Sequence, residues 1–464
     1  MKSLSGLEEF FYYRSKQGLH SCFVVAITLN KSPTRSEIVQ AVRAVVPEYP
    51  QLYSDVVTRN GSLVLEPLQS TLVLSDVVEF TEMESLDEEH SNKIFKEVTF
   101  VYGAEKPLWK VLILKDQRTF VLCSDHLILD GLSATVFWGS FMRSLNASHA
   151  DSTFPDEVVF KPSPNIAHVP QHPYSRIPVS ISGLLLRIVV RILVLISLLG
   201  IDLIGPVFVP ELGSEDFKFL HYRFPDGLLT SDGSVRNDNC QLKIKVPPNN
   251  LRALLRRCKE KKVSLSVFLL AVIAHSLKLV GTDCVEGSRI KASVPMNARP
   301  LIQEILSMKP EAVEIGNFIT GATLEYDRTS GGDIWQTATK FREDLLSQKN
   351  SRSSIESAKL LELVDVEAFV ERKKNARYPD STFEVTNLGF QSFDCGEDDR
   401  YYVQDSIFNN PQGLGDVLSC GCVATPVGGL NCSINFPKVL SSELRASIEY
   451  IERTLGSLSS TGSP

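Results

Sequence analysis

The pattern of apolar and polar positions changes period once in a telling place. Thr119 to Cys123 is a short apolar run of strand character. Beyond it Ala134, Phe137, Trp138, Phe141 and Leu145 recur at i, i+3, i+4, i+7 and i+11, the stripe of an amphipathic helix. Between the two lies His126-Leu127-Ile128-Leu129-Asp130-Gly131. His126 therefore sits at a strand end and Gly131 opens a turn, a junction that can aim a side chain into a cleft. An imidazole there can act as a base near neutral pH. The carboxylate can fix local geometry, and a glycine lets the backbone turn sharply.

The same reading extends along the chain. Leu7 to Lys16 predicts a short helix and Ser21 to Asn30 a strand. Ser32-Pro33 predicts a helix start, with Ser as cap and Pro in the first turn, and Ile38, Ala41, Val42, Val45 and Val46 on its apolar face. Trp109 to Leu114 and Thr119 to Cys123 predict a hairpin around Lys115–Arg118 that delivers His126. Residues 150 to 180 are rich in Pro and Ser without period and read as an irregular connection. The later half predicts strands near 217–224, 241–246, 289–295, 383–390 and 429–436. It predicts helices near 250–261, 264–281, 334–348 and 357–370, and a C-terminal helix carrying Leu444, Ile448, Ile451 and Leu455.

Leu184 to Val209 is apolar throughout except Arg187, Arg191 and Asp202, and is interrupted by Gly200, Gly205 and Pro206. Its longest charge-free part, Ile192 to Ile201, is shorter than the about 20 residues a bilayer span needs. Two readings stand: a helix lying on a membrane with its arginines toward the headgroups, or a buried helix walling an apolar tunnel.

Composition narrows the classes. A chain of 464 residues with 43% hydrophobic content supports two domains with full cores. The division expected is 1–160, a linker 161–215 carrying the apolar helix, and 216–464. A net charge of -7 offers no basic field for nucleic acid. The nine cysteines are scattered and suit a reducing compartment, and no zinc spacing occurs; Cys420-x-Cys422 lacks a completing pair, so no metal is expected. The N-terminus lacks the apolar core of a signal peptide. A monomer in the cytoplasm is expected, with peripheral contact to endoplasmic reticulum or lipid droplets through 184–209 under the membrane reading.

His126-x-x-x-Asp130-Gly131, then Asn297-x-Arg299-Pro300, Gly316-Asn317-Phe318 and Thr386-Asn387-Leu388-Gly389, taken in this order, resemble the fungal alcohol acetyltransferase family. That family lies in the superfamily of chloramphenicol acetyltransferase, carnitine acyltransferases, plant BAHD acyltransferases and condensation domains. Leu7-Glu8 to Arg14, Pro50-x-Leu52 and Pro107-Leu108-Trp109 fit the same pattern, so the resemblance covers roughly residues 5 to 455. It implies an α/β fold of two chloramphenicol-acetyltransferase-like domains, each a mixed sheet flanked by helices, with an active-site tunnel between them. It implies acetyl-CoA as co-substrate and His126 as the general base for direct attack by the acceptor. Thr386 or Asn387 would supply the oxyanion donor, and Asp130 would pair with Arg299 rather than relay charge to His126.

The residues agree with direct attack in one respect: no Gly-x-Ser-x-Gly nucleophile elbow occurs. His275, on an amphipathic helix, and His221, without a local partner, are weaker rivals to His126. The leading expectation is O-acetylation of a small or lipid-like alcohol. N-acetylation of a long-chain, sphingoid-like amine is the alternative within the same chemistry. A non-catalytic lipid-binding member of the fold would have no use for the His126/Asp130 pair, and a condensation domain would come with a carrier domain, which this chain does not contain.

Overall fold

The computed structural model describes residues 2–148, 157–197, 211–349 and 352–457. The chain forms two sheet-centred halves. The first is built on five strands in the spatial order Val403–Asn409, Phe23–Leu29, Thr119–Ser124, Trp109–Ile113 and Val78–Phe80. The pairs are antiparallel except the last, which is parallel. Successive side chains of a strand point to opposite faces, and both faces here are apolar. Val25, Ile27, Phe120 and Leu122 meet Ile38, Val42, Trp138 and Phe141 of the helices Arg35–Val45 and Gly131–Ala147. Val24, Ala26, Val121 and Cys123 meet Ile94 and Phe95 of the helix Glu88–Glu97.

The second half holds six strands in the order Cys240–Val246, Gly429–Phe436, Asp416–Thr425, Ser381–Phe390, Arg289–Asn297 and Ile319–Asp327. Its two central pairings are parallel and its outer pairings antiparallel. The helix Leu265–Ser276 is apolar nearly all round and is buried along nearly its whole length, as expected for an element packed on every side. The predicted mixed α/β architecture is the one found.

The halves are not consecutive lengths of chain. Val403–Asn409 follows the strand Ser381–Phe390 of the second sheet, yet pairs with Phe23–Leu29 at the edge of the first. A linear cut near residue 215 does not anticipate this strand. Ala298, Ile302, Val313, Ile315, Phe318 and Leu388 of the second half are likewise buried in the core of the first. This sharing presses the loop 313–318 and the strand Ser381–Phe390 against the His126 loop.

Several local expectations need correction. The helix expected from Ser32-Pro33 begins at Arg35, because Thr34 and Glu37 form a reciprocal capping box while the Ser32 hydroxyl donates instead to the carbonyl of Asp116. The helix expected over 357–370 is broken into Ser353–Ala358, a 3-10 turn at Lys359–Leu363 and Val366–Lys374, the last capped by Asp365. The strand near 217–224 shortens to Lys218–Phe219. His221 has no local partner, as expected, and meets Glu443 Oε1 at 2.6 Å from more than 200 positions away.

The apolar helix runs from Ile181 to Ser197; the rest of the 184–209 stretch lies outside the described residues. Its Ile181, Leu184, Leu185, Ile188, Val189, Ile192 and Leu195 form one exposed stripe, while Gly183 and Val190 are buried. Arg187 anchors the inner side, donating to the Lys359 carbonyl at 3.3 Å and pairing with Glu362 at 3.5 Å. Among the described residues no single helix is long and apolar enough to cross a membrane.

Candidate active site

The hairpin Trp109–Ile113/Thr119–Ser124 carries the chain to Asp125, whose backbone N–H bonds to the Leu108 carbonyl at 3.0 Å. The Asp125 carboxylate accepts from Leu127 N and from the Tyr102 hydroxyl, each at 2.8 Å. These bonds force the tight turn that turns His126 outward: it is partly accessible while its neighbours on both sides are buried. Burial raises the Asp125 carboxyl to about 6, against the opposing effect of its hydrogen bonds and Arg14.

The His126 ring stacks on Phe11 with centroids 4.3 Å apart, and Phe23 and His20 lie at 5.1 and 5.9 Å. The imidazole bonds back to its own carbonyl. The Asn317 amide donates to that same carbonyl at 2.7 Å, which brings its nitrogen to 3.2 Å from Nδ1. Burial, with Arg14 adding to it and its own carbonyl and Asp130 opposing, pushes the ring down to about 4. His126 is thus a neutral imidazole at physiological pH, in the form a general base needs.

Asp130 does not touch His126. It is buried as the N-cap of the helix Gly131–Ala147 and forms a bidentate pair with Arg299, Nη1 to Oδ2 at 2.8 Å and Nη2 to Oδ1 at 3.0 Å. Ser133 N, Ser133 Oγ and Phe318 N also donate to it at 2.8, 2.8 and 2.9 Å. Burial opposes its charge, but Arg299 and these donors overcome that and hold the carboxyl below its usual range. Arg299 further donates to the Val313 carbonyl at 2.8 Å and lies 4.8 Å over the Phe318 ring. The pair clamps the loop 313–318 onto the turn that aims His126.

Gly131 plays a different part from the one its sequence position suggests. It is the first residue of a helix rather than a positive-φ turn. A Cβ there would come 2.5 Å from Leu388 Cδ2, so the requirement is for close approach between the helix start and the strand Ser381–Phe390.

Alternation along that strand separates the two oxyanion candidates. Phe383 and Val385 lie in the second core, and Asn387 shares their face, donating to Ser266 Oγ at 3.0 Å while its oxygen accepts from Gly389 N at 2.8 Å. Gly389 has φ +77° at an irregularity in the pairing, so Asn387 shapes a bulge. Thr386 shares the opposite face with Glu384 and Leu388, toward the first half, and its hydroxyl donates to Glu384 Oε1 at 3.0 Å. The expectation that either residue could supply the donor narrows to Thr386.

Two pockets are lined from both halves, the first of them against the His126 loop. One, ≈ 130 Å³, lies against Leu127, Ile128, His172 and Asn317. The other, ≈ 750 Å³, is mainly apolar; Leu7, Phe10, Leu360 and Phe369 line it, with Leu186 of the exposed helix and the Glu384 carboxylate. Phe10 lies 5.4 Å from Phe11, which stacks on His126. Arg14 Nε, His20 Nε2 and Asp416 Oδ1 are buried without a hydrogen-bond partner among the described residues, the mark of a chamber that takes water or substrate.

The roles of Phe11, Arg14, His20 and Glu384 were not read from sequence. Arg14 in an aromatic helix was the one available signal. Among the described residues no group of three or more His, Cys, Asp or Glu is placed to hold a metal.

The sequence model of a family described as alcohol acetyltransferase matches residues 3–455. The chain is 31% identical over 474 aligned positions to N-acetyltransferase SLI1 of Saccharomyces cerevisiae, covering 97% of this chain and 98% of that one. Among solved structures it is similar to TRI3 trichothecene 15-O-acetyltransferase of Fusarium sporotrichioides, with TM-score 0.67 at 10% identity over 97% of this chain and 95% of that one. It is also similar to the epimerization domain from the third module of tyrocidine synthetase B, with TM-score 0.61 at 12% identity over 99% and 97%. These two show a shared two-domain fold.

Proposed function

The chain belongs to the alcohol acetyltransferase family, and on that premise we propose that it moves acetyl from acetyl-CoA to the amine of an acceptor with an apolar tail, with His126 as general base. The family implies acetyl-CoA as co-substrate. The observation that carries the reading is the place and state of His126: a neutral imidazole, held by the Asn317 amide, at the meeting of the two halves. The acceptor nitrogen attacks the thioester carbonyl, His126 Nε2 takes a proton from it, and the same proton passes to the departing CoA sulfur. General-base assistance of this kind contributes roughly 10²- to 10⁴-fold. Thr386, facing the first half, is the candidate donor to the oxyanion.

An amine is favoured by the full-length relative named as an N-acetyltransferase and by the carboxylate in the apolar pocket. O-acetylation of an alcohol is the second reading, favoured by the family's description. The test is release of free CoA from acetyl-CoA with a long-chain amine and the alcohol of equal length. His126→Ala should lower transfer at least about 10²-fold with its unfolding midpoint retained; equal activity in that variant would end the assignment. We also propose that the exposed stripe of Ile181–Ser197 rests on a lipid surface, because it adjoins the pocket through Leu186 and offers acceptors a dry route. Replacing Leu184, Ile188 and Ile192 by Ser should abolish co-sedimentation with phospholipid vesicles; undiminished sedimentation would refute the contact.

A further inference from the structure

We infer that Glu384 binds the acceptor as its ammonium ion, takes the first proton from it, and thereby frees the Thr386 hydroxyl to donate to the thioester oxyanion. The inference rests on the amine reading and deepens it. A primary alkylamine, with a pKa like that of lysine at about 10.4, is almost wholly protonated at neutral pH. An ammonium nitrogen has no lone pair and cannot attack. It must lose one proton before attack and another after it, and His126 can take only one per turnover. An alcohol presents no such demand.

Glu384 is the group placed to take the other. It stands on the face of the strand Ser381–Phe390 that looks toward the first half, on the wall of the ≈ 750 Å³ pocket. The other charged groups on that wall, Lys373 and Asp380, are paired with each other. Glu384 forms no salt bridge among the described residues, so on this mainly apolar wall, which also carries Ser293, Thr320 and Thr323, it is the carboxylate without a directly bonded cation. The groups that act on it are Arg14, which favours its charge, and Asp416 and Cys420, on the neighbouring strand. Burial raises its pKa above the ordinary value, which makes it a better proton acceptor than a solvated carboxylate.

Its hydrogen bond with Thr386 couples the two tasks. The Thr386 hydroxyl donates to Glu384 Oε1 at 3.0 Å, so while Glu384 is ionised that hydrogen is committed and cannot serve an oxyanion. Once the ammonium has passed a proton to Glu384, the new carboxyl O–H can donate to Thr386 Oγ, and the Thr386 hydrogen turns to the thioester oxygen. The sequence balances. The N–H bond of the ammonium breaks and an O–H bond forms on Glu384. The amine lone pair forms the C–N bond, and His126 takes the second proton. The C–S bond breaks, and that proton goes to the CoA sulfur. Glu384 returns its proton to water as the amide leaves.

The experiment compares wild type with Glu384→Gln on decylamine and decanol, with acetyl-CoA. The ratio of kcat/KM for amine over alcohol should fall by at least about tenfold in the variant. An unchanged ratio, with wild type active on the amine, overturns the role of Glu384 and leaves the amine reading standing. Wild type active on decanol and inert on decylamine overturns both. Calorimetric titration of decylamine into wild type at pH 8, in two buffers of different ionisation heat, decides the point even if the variant does not fold. No proton passing to the buffer is expected; release of one proton per amine bound would overturn the transfer to Glu384.

Discussion

Arg299→Ala tests whether the clamp on the His126 turn is a stability element as well as a geometric one. It removes both guanidinium bonds to Asp130, at 2.8 and 3.0 Å, and those to the Val313 and Gly316 carbonyls. The Asp130 carboxylate would remain buried at 2% exposure, without its cation. Breaking a buried pair by removing one partner costs about 3–5 kcal/mol. The lower part of that range applies, because Ser133 N, Ser133 Oγ and Phe318 N still donate to the carboxylate and the helix keeps its cap. Asp130→Asn should cost a similar amount, since Arg299 keeps its carbonyl partners but loses its counter-charge, and an amide N–H₂ then faces its donors. Urea unfolding of both single variants and the double variant gives the coupling directly. The pH dependence fixes the cause. Asp130 has a folded pKa below its unfolded value, so the stability it contributes is present above the unfolded value near 3.9 and is lost as pH falls through the folded one. The deficit of Arg299→Ala relative to wild type should therefore be full at pH 7 and shrink below about pH 4. Singles within about 0.5 kcal/mol of wild type, or a deficit that does not change with pH, would refute the clamp.

Four other outcomes are expected. Asn317→Ala, which removes the donor to the His126 carbonyl at 2.7 Å, should lower kcat about tenfold with little change in KM; retained kcat would mean that the ring is oriented without it. With His126 held at about 4, kcat/KM for an alcohol acceptor should stay level from pH 8 to 6 and fall only as pH approaches 4, whereas a titration centred at 6.5 would show a solvated ring. Because that folded pKa lies below the unfolded value, wild type should lose stability between pH 6.5 and 4 where His126→Ala does not, a difference that acid unfolding curves would reveal. Gly131→Ala should cost about 1–3 kcal/mol through its 2.5 Å approach to Leu388, and Leu388→Ala in the same chain should recover part of that cost; additive costs would disprove the steric account.

The sequence by itself determined the elements whose causes are local. The change of period around His126 located the strand, the turn and the helix, because alternation and 3.6-residue spacing are written in neighbouring residues. The hairpin Trp109–Ile113/Thr119–Ser124 and the strand Gly429–Phe436 followed on the same ground. Even there, local chemistry misled when two signals competed: Ser32-Pro33 imitated a helix start that Thr34 and Glu37 form. The order of motifs from His126 to Gly389 pointed to the family and to His126, Asp130 and Arg299 as a set.

Only the tertiary structure decided what depends on residues distant in the chain. It sent Val403–Asn409 to the first sheet, a pairing that edge hydrogen bonds choose and apolar pattern does not. It set Asn387 on one face of its strand and Thr386 on the other, a separation fixed once the second core claimed Phe383 and Val385. It showed that Gly131 is small to admit Leu388 rather than to turn the chain. It gave His126 its charge state, because the burial that lowers its pKa is supplied by Phe11, Phe23 and the joining of two halves, and desolvation is a property of everything around a side chain rather than of its neighbours in sequence.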